Sequence, residues 1–164
     1  MSDPQATKPF RVLILCTGNS ARSQIAEALL ARKGARRFTV VSAGSKPAPR
    51  VNPFAVRVLG EAGIPWEGKV PKGLEALDHQ QWDFVITVCD RAREACPIFP
   101  GTPILAHWGM PDPAEVEGSD EDKLRAFRDT MMVLSRRIDL LLALPLEKLD
   151  RLRTAAAVRA IGQE

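Results

Sequence analysis

The clearest chemistry in this sequence lies in a short loop that connects a cysteine to an arginine. Cys16 ends an apolar run, Arg22 follows six positions later, and Gly18 and Asn19 lie between them. Gly and Asn tolerate left-handed backbone, so the loop can turn successive N–H groups inward, and an arginine can hold two oxygens of one anion. The loop is therefore predicted to bind a tetrahedral oxyanion over Cys16, with a thiolate stabilised by the amides and by Arg22.

The spacing alone is a weak signal, and the alternative is a cysteine that is merely buried at the end of a strand. The elements on either side of the loop favour the anion site. A strand precedes the loop and a helix begins at its end, so the positive end of that helix points at the same anion. The predicted oxyanion-binding residues are Thr17, Gly18, Asn19, Ser20, Ala21, Arg22 and Ser23.

The other two cysteines, Cys89 and Cys96, decide which reaction the loop can support. Three is an odd count, which argues against a framework of structural disulfides and for free thiols in a reducing compartment. Cys89 follows an apolar run at 84–88, so it is predicted to leave the same edge of the sheet as Cys16. Cys96 comes seven positions later, before Pro97. The alternative is that both side chains have only a packing role, Cys89 beside a strand and Cys96 beside a proline.

Strands and helices are predicted to alternate along the chain, and this order places the loop between a strand and a helix. Apolar runs at 12–15, 38–41, 84–88 and 103–106 predict four strands that are covered on both faces. Helices are predicted over 21–33, from Asn52-Pro53 onward, near 74–77, and from a capping box at Ser119 to a point before Pro145. This order predicts a three-layer α/β domain with a four-stranded parallel sheet, which binds ligands at the carboxyl ends of its strands.

Length and composition limit the chain to one globular domain. Its 164 residues are 45% hydrophobic and 26% charged, with a formal charge of +3. These values exclude a disordered or membrane-spanning chain and favour a small anionic ligand over nucleic acid. The predicted division is a flexible tail at 1–9, a catalytic domain at 10–145 and a helical appendage at 146–164. The first residues lack the pattern of a secretory signal, which predicts a cytoplasmic protein.

The loop and several distant motifs together resemble a known family. The stretch from Cys16 to Gln24 is similar to the signature loop of low-molecular-weight protein tyrosine phosphatases and, more closely, of the arsenate reductases that share their fold. The similarity covers most of the chain and includes Ser42-Ala43-Gly44, Val88-Cys89-Asp90 and His107-Trp108-Gly109 with Asp112-Pro113. The resemblance implies the phosphatase-like α/β fold and a thioredoxin-coupled reduction of arsenate to arsenite.

The resemblance also implies one role for each cysteine and an acid. Cys16 would attack arsenate, and Asp112 would protonate the departing oxygen. Cys89 would attack the Cys16 adduct and release arsenite, and Cys96 would then take over the disulfide. A helix across 92–96 would hold the last two cysteines about 10 Å apart, so that segment is expected to rearrange. On spacing alone, Asp112-Pro113 indicates only a turn.

The implied partners are arsenate as substrate and thioredoxin as electron donor, with phosphate or sulfate as competing oxyanions. No cofactor is expected, since the chain lacks the glycine-rich fingerprints of nucleotide binding. No metal is expected either, because His79 and His107 form no ligand set with the widely spaced cysteines. Neither nucleic acid nor a membrane is an expected partner.

A phosphatase that hydrolyses phosphomonoesters through a Cys16 phosphoenzyme is the main alternative, and weak activity of this kind is expected even from a reductase. The chain has no tyrosine, although tyrosines usually follow the Asp-Pro of the phosphatases. Gln24 also stands where phosphatases commonly carry proline. A non-enzymatic oxyanion-binding module is a further alternative.

Three more positions depart from the family pattern or leave a choice open. Ala21 occupies a loop position that is often another cysteine. Lys72 lies near the place of an aspartate that helps some relatives bind potassium, so no potassium site is expected. Glu27 is either a support for the loop or a solvated carboxylate.

Overall fold

Four parallel strands form the centre of the computed structural model, which describes residues 8–77, 80–94 and 96–164. The strands are β1 (Phe10–Cys16), β2 (Phe38–Gly44), β3 (Phe84–Thr87) and β4 (Ile104–His107). Their order across the sheet is β2-β1-β3-β4, so β1 is central and β4 is an edge. Helices cover the sheet, and the predicted three-layer α/β fold is confirmed. No helix among the described residues is long and apolar enough to cross a membrane.

The register of the strands brings the chemical groups to one edge of the sheet. Residues 12–15 are almost fully buried, as a strand covered on both faces should be. Cys16 lies opposite Gly44 on β2, and Leu15 lies opposite Thr87 on β3. The loop after Cys16 and the segment that carries Cys89 therefore leave the sheet side by side.

The helices are α1 (Arg22–Lys33), α2 (Pro53–Glu61), α3 (Asp90–Glu94), α4 (Asp120–Leu142) and α5 (Arg151–Ile161). Two predicted caps are confirmed. Asn52 Oδ1 accepts from the Phe54 N–H at the start of α2, and Ser119 and Asp122 form a reciprocal capping box on α4. The polar segment after Cys89, whose composition is typical of a loop, forms the five-residue helix α3.

Residues 146–164, the predicted appendage, contain α5, which packs against β4. Val158 is fully buried, and its carbonyl accepts from Trp108 Nε1 at 3.0 Å. The buried guanidinium of Arg137 on α4 donates to the carbonyls of Trp108 and Gly162. These bonds connect the end of the chain to the loop after β4. Most of the predicted tail at 1–9 lies outside the described residues, and His79 lies entirely outside them.

Candidate active site

The loop after β1 is shaped so that its carbonyls point away from the space above Cys16. The β2–α2 connection donates three backbone N–H groups to these carbonyls: Lys46 to Thr17 at 2.9 Å, Ala48 to Gly18 at 2.8 Å and Asn52 to Ser20 at 2.8 Å. Among the described residues, no protein acceptor takes the N–H groups of loop residues 18–21. The loop is therefore a bowl of unpaired donors, which is what an oxyanion requires.

Asn19 holds this bowl from below. Its φ of 51° places it in the left-handed region, which Asn tolerates better than most residues. The side chain is fully buried, and Nδ2 donates to Ser23 Oγ at 2.9 Å and to Ser42 Oγ at 2.8 Å. Oδ1 accepts from the Lys72 N–H and from Gln24 Nε2. The amide is thus fully used in fixing the loop.

Gly44 must be a glycine because the loop passes directly over it. A Cβ at this position would collide with the Thr17 carbonyl and lie 3.0 Å from the Asn19 nitrogen. Gly44→Ala is expected to cost about 1–3 kcal/mol of unfolding free energy and to weaken phosphate binding, because the loop must shift. Urea denaturation and calorimetric phosphate titration measure both effects.

Gly60 on α2 provides the matched control for this substitution, because a Cβ there meets nothing within 4 Å. Gly60→Ala is expected to raise stability by up to about 1 kcal/mol through helix propensity and to leave phosphate binding unchanged. Equal stability and binding for Gly44→Ala and the unsubstituted chain would contradict the close approach of the loop.

Arg22 and Asp112 form the opposite wall of the bowl. Arg22 Nη1 donates to the Met110 carbonyl at 2.8 Å, and Nη2 lies 3.5 Å from Asp112 Oδ2. Arg22 Nε is buried and has no acceptor among the described residues, so an oxyanion would supply one. The other oxygen of Asp112, Oδ1, accepts from the Ala114 N–H at 2.9 Å. Asp112 is thus both a turn cap and a wall of the site.

Cys89 lies on the same cavity as Cys16. Its sulfur is 3.3 Å from Thr17 Oγ1 and accepts from the Ala92 N–H at 3.4 Å. Both cysteines are buried free thiols. They line one cavity of about 350 Å³ together with the loop, Arg22 and Asp112. The prediction that Cys89 reaches the crevice above Cys16 from a neighbouring strand is thus matched by its position.

The surroundings of the two thiols shift their pKa values in opposite directions. The pKa of Cys89 is lowered to about 5, first by the hydrogen bond from Cys16 and then by those from Thr17 Oγ1 and the Ala92 N–H. The same hydrogen bond, together with burial, raises the pKa of Cys16, which Arg22 lowers only in part. These directions favour a thiolate on Cys89, whereas Arg22 and the loop amides taken alone favour one on Cys16.

These pKa shifts predict how thiolate formation depends on pH. The ultraviolet thiolate absorbance of the reduced protein should rise by one equivalent near pH 5, far below the value of about 8.5 for an ordinary cysteine. Cys96→Ser should leave this transition in place, because burial raises the pKa of Cys96. An absorbance that first rises above about pH 8 would contradict the lowered pKa of Cys89.

Cys96 is not part of the cavity that holds Cys16 and Cys89. It follows α3 and lines a separate cavity over β3 and β4, where its side chain is partly exposed. A bond between Cys89 and Cys96 is still expected to require a rearrangement of α3, which lies between them in the chain, because the two cysteines line different cavities. Only Ala92 of α3 is buried, so few apolar contacts oppose such a change.

Glu27 is buried beneath the loop. Its Oε1 accepts from the Ser42 N–H at 2.7 Å and from Ser42 Oγ at 2.8 Å. Lys72 Nζ lies 3.7 Å from the same oxygen, so an ammonium group compensates the carboxylate. Of the two interpretations that the sequence left open, a support for the loop is the one that this geometry fits.

The roles of several residues of the site are not predicted by any pattern in the sequence. Trp66 Nε1 donates to Gln24 Oε1 at 2.9 Å, which connects the loop to a distant tryptophan. Arg91 and Glu115 line the cavity mouth. Ser42 belongs to a motif that carried the resemblance, but its contact with Glu27 required the fold. Among the residues that the structure describes, no three His, Cys, Asp or Glu side chains are grouped to hold a metal.

Comparisons with known proteins agree with this geometry. The family model described as low molecular weight phosphotyrosine protein phosphatase matches residues 11–155. An arsenate reductase of Halalkalibacterium halodurans is 38% identical over 127 residues, which are 77% of this chain and 91% of that protein.

Solved structures of arsenate reductases also match the chain. The structure titled as an arsenate reductase in the phosphate binding state superposes with a TM-score of 0.62 and 28% identity, over 82% of this chain and 97% of that one. A thioredoxin-dependent arsenate reductase of Corynebacterium glutamicum gives a TM-score of 0.58 and 31% identity, over 82% of this chain and 64% of that one.

Proposed function

Because the chain belongs to the low molecular weight phosphotyrosine protein phosphatase family, and its relatives include arsenate reductases, we propose that it reduces arsenate to arsenite. One observation carries the proposal: two free thiols, Cys16 and Cys89, line a single oxyanion cavity. Hydrolysis of an ester needs one nucleophile, whereas reduction of As(V) to As(III) needs two electrons, which a pair of thiols supplies by forming a disulfide.

Arsenate is held by the N–H groups of the loop and by Arg22. The free N–H groups of residues 18–21 and the buried Arg22 Nε are all donors without a protein acceptor among the described residues. A tetrahedral oxyanion with four acceptor oxygens satisfies them together. Phosphate and sulfate compete for the same donors because they have the same shape.

In the first step Cys16 Sγ attacks arsenic and an As–O bond breaks. The Cys16 proton and a second proton from Asp112 leave with the departing oxygen as water. Asp112 suits this role because its carboxyl lies on the cavity wall beside Arg22. The product is a thiol ester of arsenate on Cys16.

In the second step Cys89 attacks Cys16 Sγ. The S–As bond breaks, and its electron pair stays on arsenic, which leaves as arsenite. A Cys16–Cys89 disulfide remains. Thr17 Oγ1 and the Ala92 N–H support this role, because both lower the pKa of Cys89 and neither contact depends on the Cys16 proton.

In the third step Cys96 attacks Cys89, which frees the Cys16 thiolate and leaves a Cys89–Cys96 disulfide. Cys96 is more exposed than the other two cysteines, so the exchange carries the oxidised pair from the buried site to the surface. There a dithiol protein reduces it. Thioredoxin is the donor we propose, in line with the thioredoxin-dependent relative, and such a relay requires the reducing cytoplasm.

The test is arsenite release coupled to thioredoxin, thioredoxin reductase and NADPH. Arsenate should drive continuous NADPH oxidation, with one arsenite released for each NADPH. Aryl phosphate should be hydrolysed only slowly. Rapid aryl phosphate hydrolysis without arsenate-dependent NADPH oxidation would contradict the proposal and identify a phosphatase.

A further inference from the structure

A second cavity, which shares no lining residue with the oxyanion bowl, lies on the sheet. Its floor is one face of β3 and β4, where Val85 lies opposite Leu105 and Thr87 lies opposite His107. The helical layer is open here between α3 and α5. The cavity has a volume of about 390 Å³, which is within the range of sites for small molecules.

The charged groups of this cavity are mainly cationic. Arg93 lines it from α3, and Arg159 lines it from α5. Arg159 is oriented by a hydrogen bond from its Nε to the Leu105 carbonyl at 2.9 Å. Neither arginine has a carboxylate partner among the described residues. The two guanidinium groups are therefore free to bind carboxylates of a ligand.

His107 lines the cavity beside these arginines and is held by two side-chain contacts. Its Nε2 is 2.9 Å from Asp90 Oδ1, and its Nδ1 is 2.7 Å from Thr87 Oγ1. The Asp90 carboxylate is thus in contact with the imidazole. Gln163, from the end of the chain, adds a neutral amide to the rim.

Cys96 is part of the same wall. Its side chain is partly exposed and lines the cavity with Arg93 and Arg159, so a sulfur of a bound molecule can reach it. Burial raises the pKa of the Cys96 thiol, which makes its reaction with an ordinary disulfide slow at neutral pH. A ligand held beside it by the arginines gains the advantage of proximity.

We propose that this cavity binds an acidic low-molecular-weight thiol in its disulfide form, and that Cys96 is the site of S-thiolation by it. The Cys96 thiolate, after losing its proton to solvent, attacks one sulfur of the ligand's disulfide. That S–S bond breaks, a mixed disulfide with Cys96 forms, and one equivalent of the small thiolate leaves. Electrons balance within this exchange, so no further oxidant is required.

Glutathione disulfide, which carries carboxylates, and cystamine, which is a dication, are the probes that test this inference. The reaction is followed by intact mass in a Cys16→Ser/Cys89→Ser variant, in which Cys96 is the one remaining thiol. The proposal predicts that the rate saturates with glutathione disulfide but not with cystamine. It also predicts that the preference for glutathione disulfide weakens with salt.

Charge removal from the wall separates specific binding from general reactivity. Arg93→Gln and Arg159→Gln should each slow the reaction with glutathione disulfide by about threefold to fivefold and leave the cystamine rate unchanged or higher. Arg153→Gln, on α5 but outside the cavity, is the matched control and should have no effect.

Equal rates with the two probes, or equal losses in all three arginine variants, would overturn the proposal. Peptide mapping of the unsubstituted protein, treated with glutathione disulfide and then alkylated, provides a second readout that needs no variant. It should find Cys96 as either a mixed disulfide or its intramolecular product with Cys89. Modification of Cys16 with Cys96 left free would also overturn the proposal. Arsenate reduction enters none of these measurements, so they remain valid whatever the outcome of the coupled assay.

Discussion

Cys89→Ser is expected to lower sustained arsenate reduction by at least about a hundredfold, because a serine oxygen cannot attack Cys16 Sγ to form the disulfide that leaves the S–As electron pair on arsenic. Slow aryl phosphate hydrolysis should persist. Removing Cys89 also removes the neighbour that raises the pKa of Cys16, so the Cys16 thiolate becomes easier to form. The coupled NADPH assay and a chromogenic phosphate ester measure the two activities on the same preparation.

Cys96→Ser is the companion variant, because it interrupts the same relay one step later. One arsenite per protein should be released, after which the Cys16–Cys89 disulfide accumulates and turnover stops. Mapping without reductant should find this disulfide in Cys96→Ser and no intramolecular disulfide in Cys89→Ser. Unchanged turnover in either variant, with unchanged thermal unfolding, would contradict the three-cysteine relay.

The position of the three cysteines could be predicted to different degrees from the sequence. Cys16 and Cys89 each end an apolar run, and parallel strands end at one edge, so their convergence follows from pattern alone. The Cys96 environment does not follow, because its cavity is completed by Arg159, 63 positions later in the chain. The Leu, Ala and Arg composition of that segment gives no clear sign that it packs on β4.

The charge of the thiol pair shows why local pattern is insufficient. The sequence supplies Arg22 and the loop amides, and these alone favour an ionised Cys16. The structure adds Thr17 Oγ1 and the Ala92 N–H, both in contact with Cys89, and these lower the pKa of Cys89. The Thr17 contact joins residues 72 positions apart, so it becomes visible only when β1 and β3 are placed side by side.

Asp112→Asn is expected to reduce the rate of arsenate reduction by about 10²- to 10⁴-fold, the usual contribution of a general acid. The substitution keeps the local fold, since an asparagine Oδ1 can still accept from the Ala114 N–H that Asp112 caps. It removes only the proton that the carboxyl donates to the departing oxygen. Single-turnover arsenite release measures the effect without interference from the donor.

Glu115→Gln provides the control for Asp112→Asn, since Glu115 lines the same cavity but is exposed and forms no hydrogen bond or ion pair with Arg22 among the described residues. Its effect should stay within about threefold, the size of a change in one screened charge. A loss for Glu115→Gln as large as that for Asp112→Asn would show that net charge, rather than proton donation, is what the site requires. A loss of rate in both variants that disappears at high salt would point to the same electrostatic origin. A salt-independent loss of rate that is confined to Asp112→Asn is the result expected of an acid in contact with the reacting oxygen.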